Sequence, residues 1–216
     1  IYGYNEAYYL PPMEAVSRVE MVRGAASLQF GSQFGGLVNY VLKEAPKNKK
    51  FEFNTSQTVG SFGLFNSFNS VGGTIKKVNY NAFVQYRTLQ GYRPNSQQWQ
   101  VSGFGKLQYK PTEKLALSVE YSLLRNELKM PGGFTDSAFA ANPKSSTRSR
   151  NWLKSPWNIV SANLKYTPSE NTTVDFKTMF LFSGRSLVWR NEDGGPEALD
   201  IIDTTTNEYV PREVGI

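Results

Sequence analysis

Val19-Glu20-Met21-Val22-Arg23-Gly24-Ala25-Ala26-Ser27, running on through Phe30-Gly31 to Gly35-Gly36-Leu37-Val38-Asn39-Tyr40, is the stretch whose reading decides the fold. It reads as a short strand ending at Arg23-Gly24, a turn punctuated by glycine, and a second strand. Gly31, Gly35 and Gly36 permit positive φ and close approach of one backbone to another, as a tight turn packed against a neighbouring wall requires. On the glycines alone, an ordinary β-turn-β unit of a soluble protein fits the same residues. Arg23 sits where strand meets turn and close to Glu20, so its guanidinium is expected to pair with a carboxylate rather than to face a ligand.

Composition removes several classes of function. The 216 residues suffice for one or two ordinary domains. The chain has no cysteine, hence no disulfide framework or thiolate metal site, and no histidine, hence neither the usual general base nor the commonest metal ligand. Carboxylates and lysines could still catalyse, but the reading is of a protein that is not an enzyme and holds no resident cofactor or metal. The net charge of +6 comes from lysines and arginines scattered along the chain, with no basic helix, and a nucleic-acid partner is not expected. Aromatic residues reach 14% while mean hydropathy is negative. No apolar run approaches the roughly 18 to 20 residues of a membrane-spanning helix.

From Lys50 onward the chain is a series of alternating segments. Trp99, Val101, Leu107 and Tyr109 alternate with polar residues, with Phe104 as one intruder; so do Leu115, Leu117, Val119, Tyr121 and Leu123. Tyr80, Ala82, Val84 and Tyr86 form another set, Val160, Ala162, Leu164 and Tyr166 a fourth, and Val174, Phe176, Phe180 and Phe182 a fifth. Period two gives each segment one apolar and one polar face. A soluble sandwich would alternate likewise. Segment length favours a bilayer, because strands of roughly 9 to 11 residues suit a tilted crossing, whereas globular strands cluster at about 5 to 6. Connections near Lys76–Val78, Pro111–Lys114 and Thr167–Thr172 are short, while those opening at Asn126 and Asn191 are long, the asymmetry of outer-membrane barrels. Tyr86, Tyr92, Trp99, Tyr109, Tyr121, Trp157, Tyr166 and Trp189 are expected to form interfacial girdles. Apolar residues at even positions near 80–91, 157–167 and 173–189, and at odd positions near 99–110 and 114–125, should face lipid.

The opening stretch resembles the last third of the plug domain of TonB-dependent outer-membrane receptors, in which Arg-Gly is followed by small residues, an aromatic-Gly pair and Gly-Gly-Val-hydrophobic-Asn. Arg23, Gly24, Gly31, Gly35, Gly36 and Asn39 carry that pattern here. The resemblance implies an all-β protein: the C-terminal part of a plug over 1–46, then about seven antiparallel strands of a large transmembrane β-barrel over 47–216. Seven strands cannot close around a plug, so the chain is expected to be a piece of a longer protein. It implies residence in the bacterial outer membrane and partners in a TonB motor complex, outer-membrane lipid and lipopolysaccharide. Val19–Leu42 would then be structural rather than ligand-contacting.

Met130-Pro131-Gly132-Gly133-Phe134, followed by Ser146-Thr147-Arg148 and the segment Trp157–Pro168, is similar to the ferric dicitrate receptor branch of that family. Phe134 stands where that branch has leucine. The resemblance implies that Arg185 grips an iron-bound citrate, with iron carried only by the transported chelate. Parity agrees that odd-numbered Arg185 points inward, where it could equally pair with an internal carboxylate. Tyr4 lies near a ligand-contacting glutamine of the family. Lys144, Arg148, Arg150 and Lys154 make the long loop positive, either to draw an anionic chelate or to meet lipopolysaccharide phosphates or plain solvent. Glu192, Asp193, Asp200 and Asp203 form an acidic patch without recognised calcium spacing. Uptake of another siderophore or a glycan is the alternative cargo, and a non-transporting β-rich adhesin or carbohydrate-binding protein the alternative class.

Overall fold

The structure, a computed structural model, describes residues 10–24, 35–146, 148 and 150–188, together with the backbone of short strands between 201 and 215. Strands β1 (Val16–Val22) and β2 (Leu37–Leu42) pair antiparallel as a ribbon of their own. The wall is formed by β3 (Glu52–Gly60), β4 (Leu64–Ile75), β5 (Val78–Leu89), β6 (Gln98–Thr112) and β7 (Leu115–Lys129). The short β8 (Trp152–Lys154) extends it, followed by β9 (Trp157–Ser169), β10 (Thr172–Ser183) and β11 (Ser186–Val188). Every pairing is antiparallel, and β9 lies between β7 and β10. The fold is therefore all-β, part of a plug followed by consecutive antiparallel barrel strands. Farther on, β12 (Ile201–Asp203) pairs with β13 (Glu208–Val210), and β14 (Val214–Gly215) with β11.

Register shows why the alternation runs as it does. Cross-strand partners share a face, and the chain of partners Tyr80, Leu107, Val119 and Ala162 joins the apolar sets of four strands. Val84, Leu107, Leu117, Val119 and Phe176 are exposed on that outer face, and no second sheet covers it among the described residues. A sandwich is not what these strands build. Phe104 belongs to the inner face after all. It stacks on Phe83 with centroids 5.6 Å apart, and Phe83 meets Phe68 at 5.5 Å. Trp157 also leaves the expected girdle: it is 1% exposed and registers with Leu124 on the inner face. Tyr92 lies exposed between β5 and β6, with its ring edge-on to Phe62. Trp189 is outside the described residues.

The short-turn end is tightly closed. Two-residue turns link β4 to β5 and β9 to β10, with Lys76 at φ 54 supplying the left-handed twist a tight hairpin needs. Lys77 Nζ reaches the carbonyl of Pro111 (2.5 Å), and Lys114 Nζ that of Pro168 (3.1 Å), so each turn lysine caps the neighbouring hairpin. The same end holds the link from ribbon to wall. Asn81 Nδ2 donates to Lys43 O (2.7 Å) and Thr74 Oγ1 to Pro46 O (2.9 Å). Buried Ala45 packs where a side chain on Gly72 would have to go, and a Cβ on Gly73 would strike the Lys50 carbonyl. Those two glycines are what let the linker lie flat on the wall.

Candidate ligand-binding face

One row of polar side chains crosses the inner face near the long-loop end. Asn66, Arg87, Gln100 and Asn126 are successive partners on β4, β5, β6 and β7. Asn126 Oδ1 carries the row onward by accepting the Ser155 backbone N–H at 2.8 Å. Trp157 pairs with Ser183 and Lys154 with Ser186 in one unbroken register, so Arg185 lies across from Ser155. The expected strand through Arg185 is interrupted, however. β10 stops at Ser183, Gly184 N–H bonds Pro156 O (3.2 Å), and pairing resumes at Ser186. None of the six row residues is acidic.

The row is rich in donors that lack acceptors. Asn126 and Ser155 are 4% and 0% exposed, and Asn126 Nδ2, Ser155 Oγ and Arg185 Nε are buried without a hydrogen-bond partner among the described residues. A buried donor left unpaired costs about 1–3 kcal/mol. Three together, on adjacent positions, are chemistry suited to an oxygen acceptor such as a water, an ion or a ligand oxygen. At the other end of the row, Gln85 Nε2 donates to Asn66 Oδ1 (2.7 Å) and Asn66 Nδ2 to Glu14 Oε1 (2.9 Å). This relay, rather than Arg23, ties the ribbon segment to the wall.

Arg23 is exposed and makes no ion pair among the described residues. The reason is register and parity. Glu20 faces Asn39 across the ribbon and shares its face with Arg18, two residues away, so Asn39 Nδ2 (2.8 Å) and Arg18 Nε (2.7 Å) take both carboxylate oxygens. Arg23 lies past the strand end. The Asn39 amide, and then Arg18, hold the Glu20 carboxyl below its ordinary pKa. Gly24 sits at φ 78 and Gly36 at φ 107; a Cβ on Gly36 would come within 2.5 Å of Val22 O. Gly35 has open space around it, and Gly31 and Tyr4 lie outside the described residues. Arg148 is half-buried, its N–H on Pro131 O (3.2 Å) and its carbonyl on Ser146 Oγ (2.6 Å), so its backbone is held in the loop. Of the acidic patch, Glu192, Asp193 and Asp200 are outside the described residues, and only backbone is described at Asp203.

The Met130–Phe134 motif finds a different partner. Arg93, between β5 and β6, donates to Ser145 O (2.8 Å), Gly132 O (2.9 Å) and Pro131 O (3.3 Å), and its guanidinium lies 3.8 Å from the Phe134 ring centroid. Asn95 Nδ2 bonds Met130 O (3.0 Å) and Asn151 O (3.1 Å). Arg93 went unread because its partners are backbone carbonyls, which no side-chain pattern reveals. Arg87 was legible by parity, as an odd residue on a strand whose even residues are apolar. Asn126 and Ser155 fell inside what read as loop.

No protein-family model matches the sequence. Among solved structures, the ferric citrate transporter FecA in its unliganded form aligns with a TM-score of 0.69 and 20% identity, covering 80% of this chain and 27% of that one. The siderophore receptor PiuA from Acinetobacter baumannii aligns at 0.70 and 20%, covering 82% and 27%. The ferripyoverdine receptor of the Pseudomonas aeruginosa outer membrane aligns at 0.68 and 17%, covering 84% and 26%. The chain thus spans about a quarter of the length of the structures it matches. At these identities the likeness is one of fold, and the chain carries, over that quarter, the fold of outer-membrane siderophore receptors.

Proposed function

We propose that this chain is part of a TonB-dependent outer-membrane receptor that imports a ferric chelate, with a citrate-like, multiply anionic chelate as cargo. In this reading residues 1–46 are the end of the plug and 47–216 the first barrel strands. The protein works by binding and conformational change, without catalysing a reaction, and iron travels on the cargo. The motor complex acts through TonB, while lipid and lipopolysaccharide surround the outer face. The observation that supports this best is the inner row from Arg87 to Arg185. It holds two guanidinium groups, amides and a hydroxyl, with no carboxylate among them, in a fold shared with siderophore receptors. Guanidinium offers a planar fork matched to carboxylate.

Calorimetric titration of the full-length receptor with ferric citrate and with a neutral siderophore tests the reading. A hydrogen bond to a charged group contributes about 1.5–3 kcal/mol, so Arg185→Ala should weaken ferric citrate binding by about one to two decades. Arg185→Lys should recover only part, because ammonium cannot form the fork. Tight binding of the neutral siderophore, unchanged in Arg185→Ala, would replace the anionic cargo with a neutral one.

A further inference from the structure

A cavity of about 1000 Å³ lies at the other end of the same inner face, between the last residues of β2 with its linker and the short-turn ends of β4, β5 and β6. Lys43, Lys47, Lys76, Lys77, Lys106 and Lys110 line it, against only Glu44, Glu113 and Glu120. Glu120 is already engaged by Lys106 at 2.8 Å, and Lys77 is engaged by Pro111 O. Lys43, Lys47, Lys76 and Lys110 have no ion pair among the described residues. Tyr40, Leu42 and Phe104 give the cavity an apolar flank. One side is fixed by the Asn81 and Thr74 bonds to the linker. Cations in excess on low-dielectric walls focus a positive potential into this half-open space.

We propose that this cavity is a second anion site, taking a small molecule that bears several carboxylates or phosphates. The proposal rests on the transport reading for its role: a multiply anionic cargo leaving the row near Arg185 would meet the lysines at the far end of the wall. The two ends differ in a way that suits entry and exit. Guanidinium binds a carboxylate in a fixed fork, whereas ammonium is a compact, strongly hydrated charge on a flexible stem. Free lysines therefore attract an anion without fixing its orientation, so the site can release it.

Lysine acylation of the full-length receptor in detergent, read by mass spectrometry with and without excess citrate or pyrophosphate, tests the site directly. Either anion should slow labelling of Lys43, Lys76 and Lys110 by at least about threefold, while glycerol leaves them unchanged and Lys129 and Lys154 at the long-loop end respond far less. Equal slowing at every lysine, or none at these three, would overturn the site. Protection by one anion alone would assign it to carboxylates or to phosphates. Lys43→Gln/Lys76→Gln/Lys110→Gln should keep wild-type ferric citrate affinity at the row near Arg185, yet import radioiron from it at least about fivefold more slowly. The triple Arg variant should recover import only in part, because its forks hold the anion they attract. Equal import in the Gln variant would remove the exit role. Wild-type protein that shows protection but imports no ferric citrate would leave the anion site standing and remove the transport reading instead.

Discussion

Gly36 shows how much a single residue decides. Its φ of 107 excludes ordinary side chains, and Val22 O stands where a Cβ would be. Gly36→Ala should destabilise the ribbon by about 1–3 kcal/mol, seen as earlier thermal unfolding and faster proteolysis near residues 20–40 of the full-length protein. Gly35→Ala, with open space, should change little by comparison. Glu20 makes a second case. Its pKa is lowered, so its contribution to ribbon stability is present above the unfolded value and lost as pH falls through the folded one. Carbon-13 NMR should place the Glu20 midpoint below that of an ordinary glutamate, and Asn39→Ala should move it back up. Gly36 was legible in sequence because conformational need is local, whereas Gly35 has neither a positive φ nor a close neighbour among the described residues. The Asn39–Glu20 pairing was not legible, because it depends on a register set by two strands, and the turn of Glu20 toward Arg18 rather than Arg23 follows from the same register.

The strands were the most legible elements, since period two survives wherever one face is apolar and the other polar. The outer set Tyr80–Leu107–Val119–Ala162 follows from sequence directly. Phe104 and Trp157 resisted because an inner face that meets other protein also takes aromatics: Phe104 extends the Phe68–Phe83 stack and Trp157 is fully covered. Arg185 falls across from Ser155 through a break in the ladder, because Pro156 has no N–H to return the Gly184 bond, yet the register on either side is the same. The long loop is where pattern fails and backbone contacts rule. Arg93 holds three carbonyls and one ring of that loop at once. Arg93→Ala should release it, with trypsin cutting after Lys144 and Arg150 at least about tenfold faster, since losing about 1.4 kcal/mol of closure changes an opening equilibrium that much. Arg93→Lys should give intermediate rates; wild-type rates in Arg93→Ala would show that the loop is held by other contacts.

At the scale of the whole molecule, an exposed apolar outer face over a polar inner one leads to a simple expectation. The full-length protein should fractionate with outer membranes and need detergent to remain dispersed; recovery in a detergent-free soluble fraction would contradict it. The link between ribbon and wall adds a mechanical consequence. Val16 pairs with Leu42, Lys43 N–H bonds Ala15 O (2.8 Å), and the chain just beyond is sutured to the wall through Lys43, Ala45, Pro46 and Lys50. Tension drawn through the chain ahead of Met13 therefore acts at the same end of the ribbon as the anchor that resists it. The load falls first on the Glu14–Asn66 and Ala15–Lys43 bonds, then on the Val16–Leu42 pair and the next rung, so the ladder opens like a zip rather than shearing along its length. Rungs that break singly yield at far lower force than rungs loaded together, and β1 would peel away while β2 stayed fastened to its wall.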